Sequence, residues 1–312
     1  MKPAVVVVGS LNMDFVVRTK HLPTAGETVP GHSFRMAPGG KGANQAFAAG
    51  RLGAGSVVVR MIGRVGQDLF ADHLKASLSG AGVDVSAVHA SRSQPTGVAL
   101  IPVDEAGQNQ IVVAAGANMD LQAADVEAMR RVFRGGRIAL FQLETPLDTV
   151  AAGMRIAREE GLRTMLDPAP AQALTAELLR SVDILTPNET EALILLGRRP
   201  ERVSAADAPA IAAAVAALGA GVAVLKLGEQ GCWFHGSGEA FPVPGFAVRA
   251  VDTTAAGDTF NAGLAIALTE GLPMRQALRF ANAAAAVSVT RSGAQASAPT
   301  RAEADEMLKT AV

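Results

Sequence analysis

Residues Val5–Val8 are four consecutive valines, bounded by Ala4 and Gly9. β-Branched residues favour strands, and successive strand side chains point to opposite faces of a sheet. A strand with no polar position has no face to offer water, so it must lie in a sheet covered on both sides. Comparable runs recur at Val57–Ile62, Ile138–Leu143, Thr164–Asp167, Ile184–Thr186 and Val222–Leu227. Between them, helix-period patterns occupy Gly42–Leu52, Leu69–Ala81, Leu147–Glu160, Thr190–Leu196, Ala208–Leu218, Asp258–Glu270 and Met274–Val289. This alternation predicts an α/β fold, a doubly wound and mostly parallel sheet with helices on both faces.

Two segments interrupt it. Residues 15–37 are rich in Gly, Pro and β-branched residues, and residues 96–114 read as a hairpin, Gly97–Val103 and Gln110–Val113, around Asp104-Glu105-Ala106-Gly107. Pro102 lacks an N–H and needs an edge or a non-bonding position in such a hairpin. Together they predict a small β-sheet lid inserted into a single domain spanning 1–312.

Composition narrows the function. With 28 Lys and Arg against 29 Asp and Glu the net charge is −1, and no basic run occurs, so nucleic acid and anionic membrane are poor partners. A single cysteine, Cys232, permits no intrachain disulfide and fits a reducing cytosol. Beside Trp233 it reads as a packed residue. The N-terminal apolar run is short and leads directly into Asn12-Met13-Asp14, which suits a buried strand better than a signal peptide. Ala208–Leu225 is long and apolar enough to raise a membrane span, but Pro209, Gly219 and Gly221 divide it into helix, break and strand. The five histidines show no metal-ligand spacing, and no G-x-S-x-G or C-x-x-C occurs, which leaves hydrolase and zinc readings without support.

Ligands of doubly wound sheets bind beyond the carboxyl ends of the strands, and the polar candidates follow the strand runs. In GSLNMD (9–14), Asn12 and Asp14 stand two apart at the end of the first strand, able to share one face and accept hydroxyl protons. PGGKGANQA (38–46) is a Gly-rich loop without phosphate-loop spacing; Gly40, Lys41 and Asn44 there offer close backbone approach, a cation and an amide. Glu144 and Asp167 follow two further strands. In TPNETE (186–191), Asn188 and Glu191 lie over one helix turn, which suits either a hydrated Mg²⁺ or a helix cap. Lys226 to Gly231 form a Gly-punctuated turn that could pass phosphates or simply turn the chain. Finally, in VDTTAAGDTFNAG (251–263), Asp258 follows Ala255-Ala256-Gly257 where a turn becomes a helix. Unpaired N–H groups and a positive dipole end gather at such a place. A carboxylate there is either a cap or a base beside a hole for a phosphoryl group.

Taken in order, GSLNMD, GGKGANQA, QLETP, DPAPA, TPNETE and VDTTAAGDTFNAG resemble the PfkB carbohydrate-kinase family, from Val5 to about Pro299. The resemblance implies ATP-dependent phosphorylation of the primary hydroxyl of a furanose, here D-ribose at O5. It implies that Asp258 takes the O5 proton, while the backbone N–H groups of Ala255, Ala256, Gly257 and Asp258 hold the moving phosphoryl group. By matching position, Asn12, Asp14, Gly40, Lys41, Asn44 and Glu144 would bind ribose. Asn188, the loop Lys226, Leu227, Gly228, Glu229, Gln230 and Gly231, together with Gly257 and Asn282, would line the ATP site. Glu191 would order Mg²⁺ through water. An activating monovalent cation, K⁺, would be held by Asp252, Thr254, Ser288, Arg291, Gly293 and Ser297, several through backbone carbonyls. The lid would form a homodimer contact. The chain departs from the family pattern at Lys226, where Thr is expected, and at Asn282, where His is common; both fall in the nucleotide site. Two other readings stand beside this one: a kinase for another acceptor (2-deoxyribose, fructose or adenosine), and a sugar-binding regulator without catalysis.

Overall fold

The computed structural model describes residues 2–201 and 203–310. Two sheets carry the fold. The larger has nine strands in the order β13-β12-β11-β10-β9-β8-β1-β4-β5. These are β1 (Ala4–Val8), β4 (Val58–Val65), β5 (Val83–Ala90), β8 (Gly136–Phe141), β9 (Arg163–Leu166), β10 (Ile184–Leu185), β11 (Val222–Lys226), β12 (Cys232–Gly236) and β13 (Glu239–Val243). Pairing is parallel from β5 through to β11, and the β11-β12-β13 edge is antiparallel.

The valines of β1 explain the layering. Val5 and Val7 enter one core, shared with α1 (Lys41–Leu52), α2 (Leu69–Gly80), α8 (Ala256–Thr269) and α9 (Met274–Ser288). Val6 and Val8 enter a second core on the opposite face. That core is covered by α3 (Ala123–Ala128), α4 (Leu147–Glu159), α5 (Ala176–Arg180), α6 (Glu189–Leu195) and α7 (Ala208–Ala216). α10 (Arg301–Thr310) closes the chain against α9. Among the described residues no helix is long and apolar enough to cross a membrane.

The second sheet has the order β3-β2-β6-β7, from β2 (Asn12–Thr19), β3 (Gly31–Gly39), β6 (Gly97–Val103) and β7 (Val112–Ala114). It forms the lid. β7 pairs with β6 at Val98–Leu100; beyond it Gln110 N still donates to Pro102 O at 3.3 Å, but Pro102 has no N–H to return the bond and the regular ladder stops there. Asn12 and Asp14 do not end the first strand, as the sequence suggests. They begin β2 in the other sheet, because the chain leaves the core at Ser10 and Leu11 and turns into the lid. They still share one face. On the opposite face Met36, Phe15, Leu100 and Val112 align across all four strands by register.

The sequence reading omits two hairpin strands, β12 and β13, whose connection turns at Ser237 and Gly238, both at positive φ. It also omits β5, α3, α5 and α10. Helix α7 stops at Ala216, before the Leu218 expected from its apolar pattern.

Candidate active site

The carboxyl ends of β1, β8, β9, β10 and β11 release the chain at Ser10, Gln142, Asp167, Thr186 and Leu227, so those side chains converge on one edge of the sheet. α1 begins there, and its first residue is Lys41. Gly40, which precedes it, has φ 87, and a Cβ on it would lie 2.8 Å from the Asn12 backbone nitrogen. Gly42 packs as tightly, since a Cβ there would come within 2.5 Å of the Ser10 nitrogen. These glycines bring α1 against the crossing from core to lid.

α8 starts at Ala256, so Asp258 lies inside its first turn rather than at the cap position. The cap is Ala255, held left-handed at φ 57 without a glycine's freedom, a conformation of the kind that functional loops retain. Asp258 caps nothing. Its Oδ1 accepts from Gln45 Nε2 at 3.0 Å and its Oδ2 from Asn44 Nδ2 at 3.2 Å. Of the four N–H groups expected to face a phosphoryl group, that of Ala256 is already bonded to Thr253 O at 3.2 Å. Those of Gly257 and Asp258 precede the first helical bond, Thr259 N to Ala255 O.

Burial pushes the Asp258 carboxyl up from 3.8 to about 6, opposed by Lys41 and assisted by Asp167. Burial also works against the Lys41 ammonium, but Asp258, Asp167, Glu144 and Glu191 outweigh it and hold its pKa above the ordinary value. Lys41 therefore stays charged beside an ionised Asp258 at neutral pH.

On the lid side, burial, with Glu144, raises Asp14 from 3.8 to about 7, while Arg35 opposes. Gly39 leaves room for this carboxylate, because a Cβ there would fall 2.1 Å from Asp14 Oδ2. Glu144 Oε2 accepts from Ser10 Oγ at 2.5 Å and Lys41 N at 3.0 Å. Asn12 Oδ1 accepts from Asn118 Nδ2 at 2.7 Å, and Asn118 also exchanges bonds with both backbone groups of Leu11. Asp14, Lys41 and Asn44 thus lie near Asp258, with Glu144 beside Lys41 and Asn12 at the start of the strand that carries Asp14; the residues that hold them, Ser10, Gln45, Asn118 and Gln142, are not singled out by the sequence reading. Gln45 is fully buried and donates from Nε2 to both Asp258 and Asp167, while its Oε1 accepts from Gln142.

Two cavities continue from this point. The first, of about 400 Å³, is lined by Lys41, Asp167, Asn188, Glu191, Lys226 and Gly257–Asp258. The second, of about 940 Å³, runs along Lys226, Gly228, Glu229 and Gly231 to Phe246, Asn282 and Val289. The Asn282 amide donates to Val243 O and Pro244 O, and so fixes the wall of the larger cavity. Asn188 and Glu191 form a reciprocal cap at the start of α6: Asn188 Oδ1 accepts from Glu191 N, and Glu191 Oε2 accepts from Asn188 N, each at 2.8 Å. The capping reading of this pair is therefore real, although Glu191 still lines the smaller cavity. Burial raises the Glu191 carboxyl, against the pull of Lys226.

Of the residues expected to hold a monovalent cation, Asp252, Thr254 and Gly293 meet directly. Asp252 accepts from Thr254 N and Gly293 N, each at 2.9 Å. Ser288 and Ser297 hydroxyls each donate back to a carbonyl of their own helical turn, and the Arg291 guanidinium goes to Glu303.

A buried carboxylate, a charged lysine and the start of a helix stand between a cluster of polar lid and loop side chains and a long cavity. That set is what phosphoryl transfer to a small polyhydroxylated acceptor needs. The sequence profile of the pfkB family carbohydrate kinases matches residues 2–301, and the chain belongs to that family. A ribokinase of Haemophilus influenzae is 41% identical over 312 residues, covering 99% of each chain. A ribokinase of Bacillus subtilis is 41% identical over 303 residues, with 97% of this chain and 98% of that one covered. The structure of Arabidopsis thaliana ribokinase complexed with ribose and ATP superposes with a TM-score of 0.90 at 34% identity, covering 99% of both chains.

Proposed function

We propose that the chain is an ATP-dependent kinase that phosphorylates D-ribose at O5, giving D-ribose 5-phosphate and ADP. The observation that carries this reading is the placement of Asp258. It is buried in the first turn of α8, beside Lys41, between the lid carboxylates and the cavity along Lys226 to Gly231. Asp14, Asn12 and Glu144 would accept or donate to the sugar hydroxyls, with the buried and unpartnered Asn44 Oδ1 as a further acceptor. As O5 attacks the γ-phosphorus and the bond to the ADP oxygen breaks, the O5 proton passes to Asp258. Lys41 and the Gly257 and Asp258 N–H groups stabilise the charge on the transferred group. Lid closure over the sugar would keep water out and limit idle ATP hydrolysis.

The phosphates run past Lys226 and the Gly228–Gly231 turn, with the base in the larger cavity against Asn282. The oxygens of Glu191 and Asn188 form a hard donor set suited to a water-bound Mg²⁺, which neutralises phosphate charge when bound. Asp252, with backbone carbonyls near Thr254, Ser288, Arg291, Gly293 and Ser297, would hold K⁺ and order the Ala255 loop. The chain acts as one kinase domain with the lid inserted in it. The outer lid face, with Phe34, Met36, Leu100 and Val112 exposed, supports a homodimer through the lid.

A coupled ADP-release assay tests the reading, with ATP, Mg²⁺ and K⁺ and with D-ribose, 2-deoxyribose, fructose and adenosine as separate acceptors. Turnover on ribose, falling when choline replaces K⁺, is the expected result. Preference for another acceptor moves the substrate, and no turnover on any of them refutes the kinase.

A further inference from the structure

Lys226 ends β11 with its backbone fixed, since its N–H donates to Pro187 O at 2.8 Å. Its side chain is almost buried and reaches Asp167 Oδ1 at 2.8 Å. The ammonium also lies against the start of α8, because a Cβ on Gly257 would sit 3.4 Å from Nζ. The side chain borders both cavities, standing where the smaller opens into the larger. Any anion seated on the first N–H groups of α8 would therefore compete with Asp167 for the same ammonium.

Asp167 is built to tolerate that competition. Its other oxygen, Oδ2, keeps a bond from Gln45 Nε2 at 3.0 Å. A buried carboxylate stripped of every partner is strongly destabilising, whereas one that retains a hydrogen bond and lies next to an incoming Mg²⁺-bound phosphate chain is not left alone. The arrangement differs from a plain structural ion pair in one respect: both partners line the smaller cavity, and the cation also borders the larger one, which Asp167 does not.

We propose that Lys226 exchanges Asp167 for the phosphate chain of the nucleotide when the donor binds, so that the Asp167–Lys226 pair is a preset grip on ATP. This rests on the kinase reading above and assigns the charge that holds the donor. The exchange is non-covalent; Nζ stays protonated throughout. Arg or Lys bonds to phosphate are charge-assisted and correspond to about tenfold in affinity for one contact.

The test uses the full-length protein, with Lys226→Met and the double variant Lys226→Met/Asp167→Asn. The double variant removes both charges and leaves no orphaned carboxylate, so it retains the fold if the single variant does not. The readout is Mg²⁺-ATP binding by calorimetry without sugar, beside KM for ATP and for ribose. Both ATP constants are expected to weaken about tenfold in the double variant, with KM for ribose within about twofold of wild type. If Lys226 serves only to neutralise Asp167, the double variant binds ATP like wild type, and the proposal is wrong. Loss of ribose turnover in the wild-type protein would instead refute the kinase reading, while the calorimetric result would still decide the role of Lys226.

Discussion

Asp258→Asn removes a charge that the fold holds against its own preference. Burial, with Asp167, raises the carboxyl from 3.8 to about 6 although Lys41 pulls the other way. The folded state therefore binds this proton more tightly than the unfolded chain does. Stability contributed by the group falls as pH rises from the unfolded value to about 6, and stays reduced above it. At 1.36 kcal/mol per pH unit, the ionised side chain costs about 3 kcal/mol at pH 7 relative to a neutral one. Asparagine keeps the shape. One of its amide atoms still accepts from Gln45, and the other can donate to Asn44 if that amide turns over, since Asn44 Oδ1 is buried and has no partner. For a chain of 312 residues the gain corresponds to a rise in Tm of about 4 °C. Turnover is expected to fall roughly 10²–10⁴-fold, as for loss of a general base. Thermal unfolding of both proteins at pH 7 and pH 4, with the coupled assay at pH 7, measures this. The variant is the more stable at pH 7, and the gap narrows at pH 4, where the wild-type carboxyl is protonated in the fold. A variant no more stable than wild type at pH 7, a gap that persists at pH 4, or near-wild-type turnover would refute the reasoning.

Asp14, held near 7, must be ionised to accept sugar hydroxyl protons, so kcat/KM for ribose falls as pH drops below about 7. Asp14→Asn raises KM for ribose and leaves only the lower limb near 6 from Asp258, which a pH–rate profile resolves. Asn118→Leu removes the 2.7 Å bond that orients Asn12. It raises KM for ribose roughly threefold to tenfold with KM for ATP unchanged, and equal effects on both constants would contradict this placement. Gly42→Ala forces a Cβ to within 2.5 Å of the Ser10 nitrogen. Its denaturation midpoint drops by an amount equivalent to about 1–3 kcal/mol, and an unchanged midpoint would show that α1 can shift without strain.

The strands buried on both faces are legible because two-sided burial leaves no polar position in Val5–Val8 or Val222–Leu225. β5 and β13 lie at the two edges of the sheet, one side of each strand unpaired, and Asp84, Ser86 and Glu239 interrupt their apolar pattern. That leaves them without a clear period. Asp258, Lys41 and Glu144 stand out because a charge at a strand or helix end is conspicuous. Gln45, Gln142 and Asn118 do not, since an uncharged side chain inside a helix or loop gives no local sign that its partner lies far along the chain. Asn188 and Glu191 show a further limit. The spacing that would let them share a cation is also that of a reciprocal cap, so the pattern alone cannot separate the two uses.

The Gln45 bridge joins residues 122 and 213 positions apart in the chain. Asp258 is therefore aligned by a side chain made early in synthesis, and the bridge is completed only when α8, near the end, docks against α1. A chain interrupted after Glu144 but before residue 256 would carry all four lid strands yet lack Asp258 and the first turn of α8. Such a fragment would also lack the α8 and α9 side chains that cover one face of the sheet, so on the proposed mechanism the means of spending ATP and the completed core arrive together.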